Sequence, residues 1–151
     1  MHNTLIVSLG STVMTDDAIG HHVLQELQKL ELKADFVDLG MDLFRLRLFF
    51  SNHKKVIFID ALSGDYPAGT ILSFTYTELK EKLHAKIRNV HRMGSIEALE
   101  IMRLDDSKLK EAEINFVGIV AEKIDKGLEL TKDVAAVIPE AVQAVLTLIE
   151  E

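Results

Sequence analysis

TLIVSLGSTVMTDDAIG, residues 4–20, is the stretch on which the fold turns. Thr4–Leu9 is a β-branched and aliphatic run, short enough for a buried strand. Gly10, Ser11 and Thr12 break it, and an amphipathic segment follows within a few residues. Between the two stands an acidic pair, Asp16 and Asp17. Carboxylates suit the positive N-terminal end of a helix, and Thr15 or Asp16 is placed to cap it. A cap needs only one acid. The second lies at the carboxyl end of a first strand, where open α/β sheets hold their ligands.

Working outward, Ile19, Val23, Leu27 and Leu30 form a core-facing stripe, which predicts a first helix over about Asp16–Leu30. His21 and His22 point different ways on such a helix and read as surface residues. Ala34–Asp38 is a second strand ending in an aspartate. Asp42 caps Leu43–Phe50, where Arg45 and Arg47 alternate as in a strand but Phe44, Leu48 and the cap favour a short helix. Lys55–Asp60 is the clearest central strand, four apolar residues closed by a carboxylate. Pro67, Gly69 and Thr70 make a turn into a strand over Ile71–Tyr76. Glu78–His84 reads as a short helix or irregular chain, Lys86–Gly94 as a loop containing His91, and Gly94 as the opening of a helix with Ile96, Leu99, Ile101 and Met102. The polar run Asp105–Glu113 reads as a loop and Ile114–Val120 as the last strand. Lys132–Glu151 is helical with a break at Pro139.

Strands that alternate with helices imply right-handed crossovers and a mostly parallel sheet. Ile71–Tyr76 follows its predecessor without a helix and is the expected antiparallel edge. The fold class is therefore α/β: a three-layer α/β/α sandwich on a five-stranded sheet, with residues 1–151 as a single domain.

The totals agree with a packed core. The chain has 151 residues and 48% hydrophobic composition, and a chain of this size buries roughly 70% of its unfolded surface. The apolar runs are strand-sized, too short to span a bilayer. The opening residues lack the charged, apolar and cleavage regions of a signal peptide, so a cytoplasmic location is expected. The absence of cysteine excludes a thiol nucleophile, disulfides and thiolate metal sites. A net charge of −7 argues against nucleic-acid or anionic-membrane partners, and the basic residues of Lys80–Arg92 are diluted by Glu81 and apolar neighbours.

In such a sheet, Asp17, Asp38 and Asp60 follow or end the first three strands and gather on one rim, with His91 on the same side. Two carboxylates and an imidazole suit a divalent transition metal such as Ni or Zn. Strand-end aspartates equally serve as turn or cap residues, and a lone loop histidine is commonly just solvated. Asp16, Asp17 and Asp60 also admit a proton-sharing dyad. No Rossmann fingerprint, phosphate loop, G-x-S-x-G elbow or H-E-x-x-H is present.

The blocks LIVSLGSTVMTDDAIG, FVDLGMDLF, KVIFIDALSGDYPAGTI, NVHRMGSIEAL, FVGIVAEKIDKGLELTKDV and VIPEAVQAVL run in one order over nearly the whole chain. In that order they resemble the hydrogenase maturation endopeptidases. The most specific parts are the acidic doublet before Ala-Ile-Gly, Asp60 with its P-x-G-T, and His91-x-x-Gly94. The resemblance implies a cytoplasmic protease that removes a C-terminal extension from the large-subunit precursor of a nickel–iron hydrogenase once nickel is inserted. It implies that Asp17, Asp60 and His91 contact that nickel, with Zn or Cd as possible stand-ins, and that Asp38 helps to recognise substrate. Asp17 and Asp60 are the candidate catalytic groups. The attack is expected from water activated by the metal or by a carboxylate as general base. A metal-dependent binding module or chaperone without cleavage is the alternative. Ser8-Leu9-Gly10-Ser11 departs from the family's G-x-G-N, Asp38-Leu39-Gly40-Met41 from D-G-G-T, and Ala121 from a usual proline.

Overall fold

A computed structural model describes residues 2–82 and 90–151, with side chains outside 81–95. The strands are β1 (Thr4–Leu9), β2 (Asp35–Gly40), β3 (Lys55–Leu62), β4 (Ile71–Thr75) and β5 (Glu113–Val120). The α-helices are α1 (Ile19–Gln28), α2 (Leu46–Phe49), α3 (Tyr76–Lys82), α4 (Val90–Asp105), α5 (Ser107–Glu111), α6 (Lys132–Ala136) and α7 (Ile138–Glu150). The strands form one sheet in the order β2-β1-β3-β5-β4. Four are parallel, and β4 pairs antiparallel with β5 at the edge, as the missing crossover helix requires.

Alternation along the strands feeds two cores. Leu5, Val7, Val56 and Phe58 face α2, α4 and α5 through Leu46, Leu99 and Leu109. Ile6, Ile57, Ile59 and Ile119 face the opposite way, onto α1, α6 and α7 through Val23, Leu27, Val134 and Val145. These are the three layers that the alternation of elements predicts. Phe58 and Phe116, partners across β3 and β5, stack with ring centroids 5.0 Å apart.

Several boundaries move. The first helix does not start at Asp16, because Thr15–Ala18 is a 3-10 turn, and α1 ends at Gln28 so that Leu30 is left exposed. Asp42 caps as expected, accepting from the Phe44 amide at 3.0 Å. The expected loop Asp105–Glu113 contains α5, because Asp106 accepts from the Lys108 and Leu109 amides and Leu109 is buried. One apolar residue in five gives no periodicity to read. Helix α4 opens at Val90 rather than Gly94. His84 and residues 86–89 of the expected loop Lys86–Gly94 lie outside the described residues, and the rest of that stretch, from Val90 on and including His91, is helix rather than loop. Pro139 starts α7 after a break at Val137.

Ser8 is fully buried near the end of β1, and its Oγ has no hydrogen-bond partner among the described residues. An unsatisfied buried hydroxyl costs about 1–3 kcal/mol. Ser8→Ala should therefore raise the stability in urea by about 1 kcal/mol. A loss of stability would mean that the hydroxyl is bonded.

Candidate functional site

The parallel register aligns Ser8 with Asp38 on one side and Ile59 on the other, so β1, β2 and β3 end on one rim of the sheet. Two glycines let the segment after β1 fold onto that rim. At Gly10, φ is +118°, and a Cβ there would lie 2.0 Å from the Asp17 carbonyl oxygen. At Gly20, a Cβ would lie 2.5 Å from the Ile59 carbonyl oxygen and 3.0 Å from that of Leu9. The start of α1 thus rests on the backbone of β1 and β3, one residue from Asp60.

Asp17 is 4% exposed, and its Oδ2 accepts from the Ser11 amide at 2.7 Å. Asp60 is 7% exposed, with its Oδ1 accepting from the Ala61 amide at 2.8 Å. It sits two residues inside the end of β3, opposite Gly118, on the face that Phe58 turns toward α4. Helix α4 contacts the 3-10 turn Leu43–Arg45 just beyond β2, and its 16 residues rise about 24 Å. His91 stands in the first turn of this helix, and its side chain lies outside the described residues. Among the described residues, no three His, Asp or Glu side chains make a ready-built cation cage. Among the described residues, two carboxylates are buried here, Asp17 in the 3-10 turn Thr15–Ala18 that follows β1 and Asp60 near the end of the adjacent strand β3. Carboxylate oxygens suit a hard or borderline divalent cation.

Asp38 lies within β2 rather than at its end, since the strand continues to Gly40. Both of its oxygens are engaged: Oδ1 accepts from the Gly40 amide at 3.0 Å, and Oδ2 lies 2.9 Å from His21 Nδ1. His21 is therefore not a plain surface residue. It is half-buried against the expected recognition aspartate, a pairing that joins two elements and leaves no local signal.

His22 packs edge-on to His21, with ring centroids 5.8 Å apart. Burial, and then the neighbouring imidazole, lower its pKa below the ordinary histidine value. A depressed folded-state pKa means that the unfolded chain protonates first, so this contribution to stability is complete above about pH 6.5 and is lost as the pH falls through the folded value. The Tm of the wild type should fall more between pH 7.5 and pH 5 than that of His22→Gln. Parallel curves would contradict this.

Asp16, expected as a cap, is no cap. It is fully buried, and its carboxylate accepts from the amides of Glu122, Lys123 and Thr131 and from the Thr131 hydroxyl. The segment after β5 is thereby tied to the turn that carries Asp17. Thr15, the other expected cap, instead turns its hydroxyl to the same segment, donating to the Lys123 carbonyl at 2.6 Å, and Thr131 carries no signal in the sequence.

A family model described as hydrogenase maturation protease matches residues 21–148. The chain is 36% identical over 138 residues to Protein FrxA of Pyrococcus furiosus, covering 91% of this chain and 98% of that protein. It is 26% identical over 154 residues to the Hydrogenase 2 maturation protease of Escherichia coli, covering 97% and 90%. The solved structure of the [NiFe] hydrogenase maturation protease HybD from Thermococcus kodakarensis superposes with a TM-score of 0.89 at 36% identity, over 99% of both chains.

Proposed function

The chain belongs to the hydrogenase maturation protease family, and on that premise we propose that it removes a C-terminal extension from the nickel-loaded large-subunit precursor of a nickel–iron hydrogenase. Membership makes it a peptidase, and the substrate of such a peptidase is a hydrogenase precursor. The observation that supports the finer reading is that Asp17, in the turn after β1, and Asp60, near the end of the adjacent parallel strand β3, are both buried carboxylates.

Three donors, Asp17, Asp60 and His91, form an incomplete shell, and a cation held by the substrate completes it. Nickel is here part of the substrate. Docking through that ion turns cleavage into an oriented, effectively unimolecular event, an effect able to remove several kcal/mol from a barrier. Buried carboxylates bind such an ion strongly because little water competes. Once the peptide is held, a carboxylate of the pair is within the class of groups that takes the proton of an attacking water and returns one to the leaving amine. Asp38, held by His21, sits on the same rim and contacts the incoming chain.

The test is to incubate the purified protein with nickel-loaded and nickel-free precursor and to weigh the products. The proposal predicts loss of the C-terminal extension from the loaded form and an unchanged nickel-free form. Binding of the loaded precursor without any mass change would favour a non-cleaving chaperone.

A further inference from the structure

The residue beside Asp17 carries a buried charge that the proposed chemistry leaves unused. Asp16 Oδ2 accepts from Glu122 N at 2.9 Å, Lys123 N at 3.0 Å and Thr131 Oγ1 at 2.7 Å, and Oδ1 accepts from Thr131 N at 2.7 Å. Taking a carboxylate out of water is expensive, and only a fixed set of donors makes it tolerable. These donors come from a segment more than 100 positions away in the chain. The backbones meet as well: Thr15 N donates to Gly127 O at 3.0 Å, Gly127 N to Val13 O at 3.0 Å, and Asp16 N to Lys123 O at 3.2 Å.

The joint holds a strained residue. Thr15 has φ +48°, in the left-handed region that β-branched residues avoid, at a cost on the order of 1–3 kcal/mol. Its Oγ1 donates to Lys123 O at 2.6 Å and accepts from Asp125 N at 3.1 Å, which offsets that cost. The strained turn parts two neighbouring carboxylates. Asp16 goes to the 121–131 segment, and Asp17 goes to Ser11 and the strand rim.

We infer that Asp16 is a positioning residue for Asp17: by tying the 121–131 segment to the strained turn at Thr15, it sets where the Asp17 carboxylate stands. The inference rests on the site role proposed above for Asp17. If Asp16 merely anchored the distant segment, the Asp17–Ser11 contact would be indifferent to its loss. The Ser11 amide, which donates to Asp17 Oδ2, reports that contact without any assay of cleavage.

Amide NMR spectra and precursor kinetics of Asp16→Asn, Thr131→Val and Thr131→Ser separate the two roles. Asp16→Asn places an amide against backbone donors, while Thr131→Val removes only the hydroxyl. In both, the Ser11 amide should lose the downfield shift of a carboxylate-bound proton, and kcat should fall about 10-fold or more with KM nearly unchanged. Thr131→Ser keeps the hydroxyl and should match the wild type. If Asp16→Asn does not fold, Thr131→Val decides. A wild-type Ser11 signal and wild-type kcat in Thr131→Val, with the Glu122 and Lys123 amides displaced, would overturn the inference. Should the wild-type protein cleave no precursor, the proposed function fails, and the Ser11 amide still decides the positioning role.

Discussion

Asp17→Asn should fold as the wild type does and lose at least about 100-fold in kcat/KM on nickel-loaded precursor, about 2.7 kcal/mol of transition-state stabilisation. The substitution is nearly isosteric, and the asparagine oxygen can still accept from the Ser11 amide that Asp17 binds at 2.7 Å. The 3-10 turn Thr15–Ala18 therefore keeps its local hydrogen bonds. What disappears is the charge, and with it the attraction to a cation presented by the substrate. The variant thus separates a turn residue from a ligand. His91→Ala should show the same loss if the imidazole completes the shell. Normal processing by Asp17→Asn, followed as a mass change of the precursor, would reduce Asp17 to a turn residue.

The second large effect is on stability. Gly10→Ala places a Cβ 2.0 Å from the Asp17 carbonyl oxygen at a φ of +118°, so both the backbone strain and a backbone clash must be relieved. A loss of about 3–5 kcal/mol is expected, enough to lower Tm by roughly 6–20 °C in a chain of this size. Gly40→Ala is the internal control: φ is +59° and no atom lies within 4 Å of the added Cβ. Strain without a clash costs about 1 kcal/mol. Chemical denaturation of the two variants should rank them in that order. Equal losses would mean that the turn after β1 gives way, and that Gly10 does not hold Asp17 against the rim.

Much of this architecture is legible in the chain because each strand announces itself by its own side chains. The run over Lys55–Asp60, the edge strand beginning at Ile71 and the break at Pro139 all depend on local composition. That β1, β2 and β3 end on one rim follows from parallel pairing alone, and the expectation for Asp17, Asp38 and Asp60 rests on it. The role of Asp16 does not, because its donors lie beyond residue 120 and periodicity says nothing about two loops meeting. The bond between His21 and Asp38 escapes for the same reason. Helix α5 escapes because five residues with one buried leucine resemble a polar loop. The 3-10 turn before α1 is invisible as well, since its acids satisfy the sequence rules for a helix start while their side chains serve other partners.

The central claim is that Asp17, Asp60 and His91 hold one cation. A crystal of the protein soaked in cadmium, and in a second experiment nickel, measured at the metal's absorption edge, tests this directly. One anomalous peak bonded to Asp17, Asp60 and His91 at about 2.0–2.4 Å is the predicted result. A peak elsewhere on the surface, with those three side chains turned to separate faces, would contradict it.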